Sequence, residues 1–186
     1  MGAADQLRWM VSDAFANARW HVESLADDEY CWEPVDRCWA VRPRASAVTG
    51  WGTGEFLCED TWPPPDPVPV TTIAWRIVHV AAWTDVYRDW TFGDAAASLR
   101  DFEVPGRAAD AVAWLCRAQD AFAAAVEGLT DADLDDRRPA HYGPHLPVWY
   151  LVQSIAVEHV HHGAEIGALR DLHRRAGRLQ PAPPLP

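Results

Sequence analysis

The stretch that decides the fold lies near the end of the chain and reads PVWYLVQSIAVEHVHHGAEIGALRDLHRR, residues 147–175. Its apolar side chains recur every third or fourth residue, which is the period of an amphipathic α-helix. Pro147 suits the first turn of such a helix, because proline lacks the backbone N–H that would have no helical partner there. The pattern therefore predicts a long helix from about Pro147 to Arg174.

Three other stretches show the same period, over about Asp5–Leu25, Thr72–Phe92 and Ala108–Glu127. The second begins with threonines suited to capping, and Gly128 provides a stop after the third. Four amphipathic helices of about five to seven turns bury their apolar stripes most simply by packing side by side. The sequence therefore predicts an all-α protein, a four-helix bundle.

A long connection rich in tryptophan and proline separates the first and second predicted helices. It spans about residues 30–70 and holds Trp32, Trp39, Trp51 and Trp62, followed by the prolines at 63, 64, 65, 67 and 69. Cys38–Arg42 is compatible with a short strand, and the glycines of TGWGTGE, residues 49–55, indicate a flexible loop. Connections of this length usually cover something or cross the bundle. Two interpretations stay open, a packed crossover that shields one bundle end and a pocket wall or lid made by tryptophans.

The composition excludes several classes of function. The chain has 186 residues, which favours a single domain over 1–175 and a disordered proline-rich tail over 176–186. All 16 basic residues are arginine, so a Schiff-base lysine and a phosphate-binding lysine loop are both excluded. The formal charge of −11 would repel a phosphate backbone, which argues against nucleic acid as a partner.

Localisation signals are not evident in the sequence. The start lacks the basic and then apolar layout of a secretory signal, and no apolar run approaches the ~18 residues of a membrane span. The four cysteines, Cys31, Cys38, Cys58 and Cys116, have no spacing typical of a tight metal site, so we expect reduced thiols. These observations predict a cytoplasmic protein with no membrane partner.

Polar side chains interrupt the apolar faces of two predicted helices. With Leu151 at 0° and about 100° per residue, His162 lies near 20°, Glu158 near 340° and His159 at the edge near 80°. In the second predicted helix, His79 shares its face with apolar residues, among them Trp75, Ala82 and Trp83. Imidazole and carboxylate groups in an apolar interior are costly unless they have partners.

A divalent metal ion is the most economical partner for His79, Glu158 and His162. Two imidazoles and one carboxylate form a recurrent set of metal ligands that leaves a position for water or substrate. Two ligands four residues apart lie one helical turn apart, and the third comes from a facing helix. Alternatives stay open, because Glu158 and His162 can simply pair with each other and the loop histidines His141 and His145 can compete as ligands.

Three stretches of the sequence resemble stretches of the DinB/YfiT-like metalloenzymes. The string HHGAEI at His161–Ile166 resembles the last helix of that family, in the branch where a glutamate precedes the second histidine. TTIAWRIVHVAAW, Thr71–Trp83, is similar to the second helix, and EYCWEPVDRCWAVRPR, Glu29–Arg44, to the tryptophan-rich segment after the first. The resemblance covers about residues 5–175, and its specificity lies in these three strings.

The resemblance implies a four-helix bundle, often a homodimer, that holds a divalent metal such as Zn, Ni or Fe. Better-known members use three histidines, one on the second helix and two, four residues apart, on the last. By position, His79 matches the first and His162 the last, whereas Glu158 stands where the middle histidine is expected. A glutamate is still able to bind the metal, and His159 is the fallback ligand if Glu158 turns away.

The resemblance also implies activities on small-molecule substrates. Some relatives are transferases or isomerases that use a low-molecular-weight thiol such as mycothiol, so we expect a thiol-dependent S-transferase or isomerase, or a hydrolase. Trp75 and Trp83 are expected to line the substrate pocket and exclude water. Arg76 is expected at the pocket mouth, facing an anionic thiol, with a surface salt bridge as the alternative. The second function that stays open is a non-catalytic, dimeric stress or binding protein whose metal site is empty or structural.

Overall fold

Four long helices dominate the structure. The computed structural model of the chain describes residues 1–141 and 143–176. Its helices are α1 (Ala3–Val22), the single turn α2 (Asp27–Tyr30), α3 (Ile73–Phe92), α4 (Ala108–Glu127) and α5 (Val148–Arg175). In cross-section α1 lies beside α5 and α4, and α3 lies beside α4 and α5. The predicted bundle is thus confirmed. Of the predicted tail, 176–186, all but Ala176 lies outside the described residues.

The ends of the helices agree with the local sequence signals to within three residues. Thr72 precedes α3, and its buried side chain accepts a hydrogen bond from the backbone N–H of Trp75 at 3.2 Å. This bond satisfies one of the amide groups that every helix start leaves without a helical partner. Pro147 immediately precedes α5 rather than lying in its first turn, and Gly128 follows α4.

Short strands organise the crossover between α1 and α3. β1 (Val41–Pro43) pairs antiparallel with β2 (Phe56–Cys58), so the predicted strand begins three residues later than Cys38. The glycine stretch 49–55 is not a free loop, since Trp51 exchanges backbone hydrogen bonds of 3.0 and 3.1 Å with Cys58. A Cβ atom at Gly50 would lie 2.3 Å from the Cys58 carbonyl oxygen, so this close approach requires glycine.

The tryptophans of the crossover have different environments, and each open interpretation fits some of them. Trp51 is buried in the apolar core beneath the crossover. Trp39 stacks on Trp75 of α3, with ring centroids 6.2 Å apart and planes 23° apart. Trp62, in contrast, is 91% exposed. The crossover therefore shields the bundle through Trp51 and adds an aromatic layer beside α3 through Trp39.

Small residues allow α1 and α5 to pack closely. A Cβ atom at Gly167 would lie 2.6 Å from Nδ1 of His21, and one at Gly163 would lie 3.4 Å from Cα of Ala18. Before α5, a second hairpin joins β3 (Arg137–Arg138) and β4 (Leu146–Pro147). Among the residues that the structure describes, no helix has both the length and the apolar character needed to cross a bilayer.

Candidate metal centre

Three predicted ligands meet where α3 packs against α5. His79 comes from α3, whereas Glu158 and His162 come from successive turns of α5. Oε2 of Glu158 lies 3.2 Å from Nε2 of His162 and 3.8 Å from Nε2 of His79. The three candidate ligand atoms lie within 4.8 Å of one another. The structure thus brings together the three residues that the helical pattern singled out.

The donor set fits a divalent cation. Nitrogen and carboxylate ligands lie about 2.0–2.2 Å from zinc, which places neighbouring ligand atoms roughly 3–4 Å apart. The distances from Oε2 of Glu158 to the two imidazoles, 3.2 and 3.8 Å, lie in that interval. Two imidazoles and one carboxylate also suit iron, and imidazole suits nickel, so the set does not single out one metal. His79, Glu158 and His162 would hold the ion.

The centre lies at the edge of the bundle rather than deep inside it. His162 is buried, but the side chain of Glu158 remains 42% exposed. The expectation that Glu158 lies among core residues is therefore wrong, because its side chain is only partly buried. The reason is that α5 packs against both α1 and α3, so that its buried arc is centred near Ile155 and His159 and Glu158 lies at its rim.

Tryptophans enclose His79 on α3. The ring of Trp75 stacks on the imidazole with centroids 4.4 Å and planes 16° apart, and Trp83 contacts its edge with centroids 6.3 Å apart. Nε1 of Trp75 donates to the Glu59 carbonyl oxygen at 2.6 Å, which fixes the indole against the crossover. The predicted pocket residues Trp75 and Trp83 therefore flank a candidate ligand.

The local electrostatics favour the protonation states that bind metals. Burial lowers the pKa of His79, although Glu158 opposes this effect. Side-chain contacts with His162 and His79 hold the pKa of Glu158 well below its usual range. The structure thus presents a neutral imidazole at His79 and an ionised carboxylate at Glu158, the forms in which these side chains donate to a metal.

Glu165 extends the centre and was not among the predicted site residues. Its Oε2 lies 2.7 Å from Nδ1 of His162, on the side of the ring opposite Glu158. Arg76 of α3 forms an ion pair with the same carboxylate and is largely buried, so it is not a surface salt bridge. The spacing of Glu165, three residues after His162, is the signal that would have identified it.

His159, the fallback ligand, points away from this cluster. It is fully buried, its ring packs on Phe15 of α1 at 4.4 Å, and Nδ1 lies 2.8 Å from the Ile155 carbonyl oxygen. Burial lowers its pKa to about 4, so the ring is neutral at pH 7. One residue advances a helix by about 100°, which turns His159 from the α3 side towards α1.

The two loop histidines lie in different places. His141 packs on Trp83 with centroids 4.6 Å apart, and its Nδ1 lies 2.6 Å from the hydroxyl of Tyr87. Burial lowers its pKa, and the charges of Glu158 and His79 also influence it. His141 therefore lies near the centre but outside the three-residue cluster. His145 is exposed, and its carbonyl oxygen accepts a hydrogen bond from Arg137.

Comparisons with known proteins agree with this architecture. A family model described as the DinB superfamily matches residues 10–166. A crystal structure of a DinB-like protein from Bacillus cereus ATCC 10987 is similar over 91% of this chain and 89% of that one, with a TM-score of 0.59 and 16% identity. At that identity the similarity supports the fold alone. No curated protein matches the chain significantly.

Proposed function

Because this chain belongs to the DinB superfamily and joins two imidazoles to a carboxylate, we propose that it is a metal-dependent enzyme acting on a small molecule. The reaction is a thiol-dependent S-transfer or isomerisation, or a hydrolysis. The observation that carries the proposal is the position of Glu158 Oε2 between Nε2 of His162 and Nε2 of His79, at 3.2 and 3.8 Å.

In the proposed chemistry, the ion provides positive charge and the protein provides the ligands that hold it. A divalent cation supplies positive charge that favours the deprotonated form of a thiol or of water. The chain holds that charge with two neutral imidazoles and one carboxylate, which leaves a net charge of about +1 at a divalent ion. Trp75 and Trp83 limit the access of water to His79 and so strengthen electrostatic interactions there. The partial exposure of Glu158 leaves a route for a substrate.

Metal removal and replacement test this function. Protein purified without an affinity tag is stripped with a chelator, dialysed and reloaded with Zn²⁺, Ni²⁺ or Fe²⁺. Consumption of mycothiol and other small thiols is then measured with a panel of electrophiles, and hydrolysis with a panel of esters and amides. We expect turnover by loaded protein and at least about a hundredfold less by stripped protein, since the cation supplies several kcal/mol of charge stabilisation. Equal rates before and after stripping would contradict the proposal.

A non-catalytic stress or binding protein is the second candidate, and one observation favours it. Two clefts of the described structure lie away from the centre, one of about 590 Å³ beside Phe56 and Trp114 and one of about 520 Å³ beside Trp20 and Ala164. A structural metal needs no adjacent cavity, whereas a substrate does. Tight metal binding without turnover in either panel would support this candidate.

We also propose that the protein is a cytoplasmic homodimer. Support for the dimer comes from the outer face of α1 and α5, where Trp20, Val157 and Val160 are half to two-thirds exposed and Trp20 shares a cleft with Ala164 and Ala168. Contiguous exposed apolar surface of this kind is typical of protein interfaces.

Substitution of Val157 by arginine tests the dimer. Light scattering after size exclusion is expected to give the mass of two chains for the wild type and of one chain for Val157→Arg, because a charge would be buried without a partner. Val48→Arg, at a 94% exposed crossover position, is the matched control and should remain dimeric. A monomeric wild type would refute the proposed dimer.

A further inference from the structure

We propose that Glu165 and Arg76 are positioning residues that hold His162 with Nδ1 protonated and Nε2 directed at the cation. The inference rests on the proposed metal centre. It assigns Arg76 a role through Glu165 rather than as the receptor of an anionic thiol. It also explains why α3 contributes a buried guanidinium next to a candidate ligand.

The two nitrogens of His162 face two different carboxylates. Nδ1 lies 2.7 Å from Glu165 Oε2, and Nε2 lies 3.2 Å from Glu158 Oε2. A neutral imidazole has one N–H donor, whereas an ionised carboxylate only accepts, so a neutral His162 can donate to only one of them. A cation beside Glu158 resolves this competition, because Nε2 then provides its lone pair and Nδ1–H donates to Glu165. Hydrogen bonds of this kind commonly orient metal-binding histidines.

Arg76 fixes the carboxylate that receives this hydrogen bond. Its Nη1 contacts Oε2 of Glu165, which lies nearer to it than Nδ1 of His162 does at 3.5 Å, and its side chain is only 11% exposed. Oε1 of the same carboxylate lies 3.3 Å from Nε2 of His161, which is an alternative partner on the solvent side. The ion pair with Arg76 anchors Glu165 towards α3 and so keeps Oε2 at His162.

The charge of Arg76 also distinguishes between two candidate cation positions. A second cluster with ligand-like spacing consists of His161, His162 and Glu165. His162 would contribute Nδ1 to it, since that atom lies 2.7 Å from Glu165 Oε2. A cation there would lie beside the guanidinium, and like charges at such a distance repel each other. We therefore assign the cation to His79, Glu158 and His162, and assign Glu165 and Arg76 to the orientation of His162.

The test is the metal affinity of Glu165→Gln, measured with Co²⁺ by competition with a chromophoric chelator. Glutamine keeps the size of the side chain but removes the charge that holds the Nδ1 proton. We expect Co²⁺ binding about 10- to 100-fold weaker than in the wild type, which is the usual cost of losing such a partner. Arg76→Met is also expected to weaken Co²⁺ binding. This variant provides the test if Glu165→Gln does not fold.

Two matched controls show whether Glu165 positions His162, supports the fold or binds the cation directly. Asp171→Asn removes a carboxylate on the same helix that pairs with Arg175 in solvent, and it should leave the affinity unchanged. His161→Ala should also leave it unchanged. Thermal unfolding of the metal-free proteins shows whether Glu165→Gln alters the fold, and the Co²⁺ absorption spectrum reports the ligand set.

Each outcome points to one conclusion. Wild-type affinity and spectrum in both Glu165→Gln and Arg76→Met would overturn the positioning role and leave the proposed function standing. Loss of binding in His161→Ala but not in His79→Ala would place the cation in the second cluster and overturn the assignment. A wild type that binds no divalent metal would overturn the proposed function together with this inference.

Discussion

Replacement of His162 by alanine is expected to lower the affinity for divalent metal by more than about a hundredfold, so that the purified protein contains almost none. The substitution removes the ligand nearest to Glu158 and leaves only one imidazole in the cluster. Loss of a direct ligand should exceed the 10- to 100-fold cost of losing a group that merely orients one. Metal analysis of protein purified without an affinity tag is the measurement.

The neighbouring histidine provides the control for this substitution. His161 precedes His162 on the same turn, but its side chain is 59% exposed, and His161→Ala should retain the wild-type metal content. His79→Ala and Glu158→Gln should lose metal as His162→Ala does. Equal metal content in wild type and His162→Ala would disprove the ligand assignment.

Replacement of Arg170 by methionine is expected to reduce the free energy of unfolding by about 3–5 kcal/mol. Arg170 and Glu29 form a buried ion pair, with Nη2 2.9 Å and Nε 3.2 Å from the carboxylate. Nη1 donates to the carbonyl oxygens of His21 and Glu23, both at 2.9 Å. Methionine keeps much of the apolar stem but leaves two acceptors without their donor. It also leaves the buried carboxylate only the more exposed Arg174, whose Nε lies 3.6 Å from Oε1.

Chemical denaturation of a double-mutant cycle measures this effect. Arg170→Met/Glu29→Gln removes both charges and should recover part of the stability that Arg170→Met alone loses, because no uncompensated buried charge remains. Arg175→Met disrupts an exposed pair with Asp171 and should change the free energy of unfolding by less than about 1 kcal/mol. A loss of similar size in Arg170→Met and Arg175→Met would contradict the argument.

The helices could be predicted from the sequence because their signals are local. A period of 3.6 residues, capping threonines before α3 and a glycine after α4 each act within one or two turns. The crossover could not be predicted in the same way. Its strands have three residues each, and the loop between them contacts a distant segment through the backbone hydrogen bond from Thr53 to Phe102.

The candidate ligands and the two tryptophans that flank His79 were predictable from the sequence, but the depth of the site and its link to Arg76 were not. Helical spacing places Glu158 and His162 one turn apart, and the inward histidine of α3 completes the cluster. Their depth could not be derived, since the buried arc of α5 depends on where α1 and α3 contact it. The role of Arg76 depends on Glu165, a residue of another helix, and the pairing of residues across helices is not visible in the period of either one.

Helix α5 carries both the candidate ligand His162 and the buried Arg170. The position of the helix along its axis therefore sets the positions of both side chains. Arg170 follows His162 by eight residues, a rise of about 12 Å along the axis. Gly163 and Gly167 lie between them, where α1 comes close. A Cβ atom at Gly167 would displace only the ring of His21, but one at Gly163 would lie 3.4 Å from Cα of Ala18. A side chain larger than alanine at Gly163 would therefore push α5 away from α1, and the displacement would reach the imidazole and the guanidinium together. The placement of α5 against α1 thus affects both the stability of the fold and the geometry of the candidate metal centre.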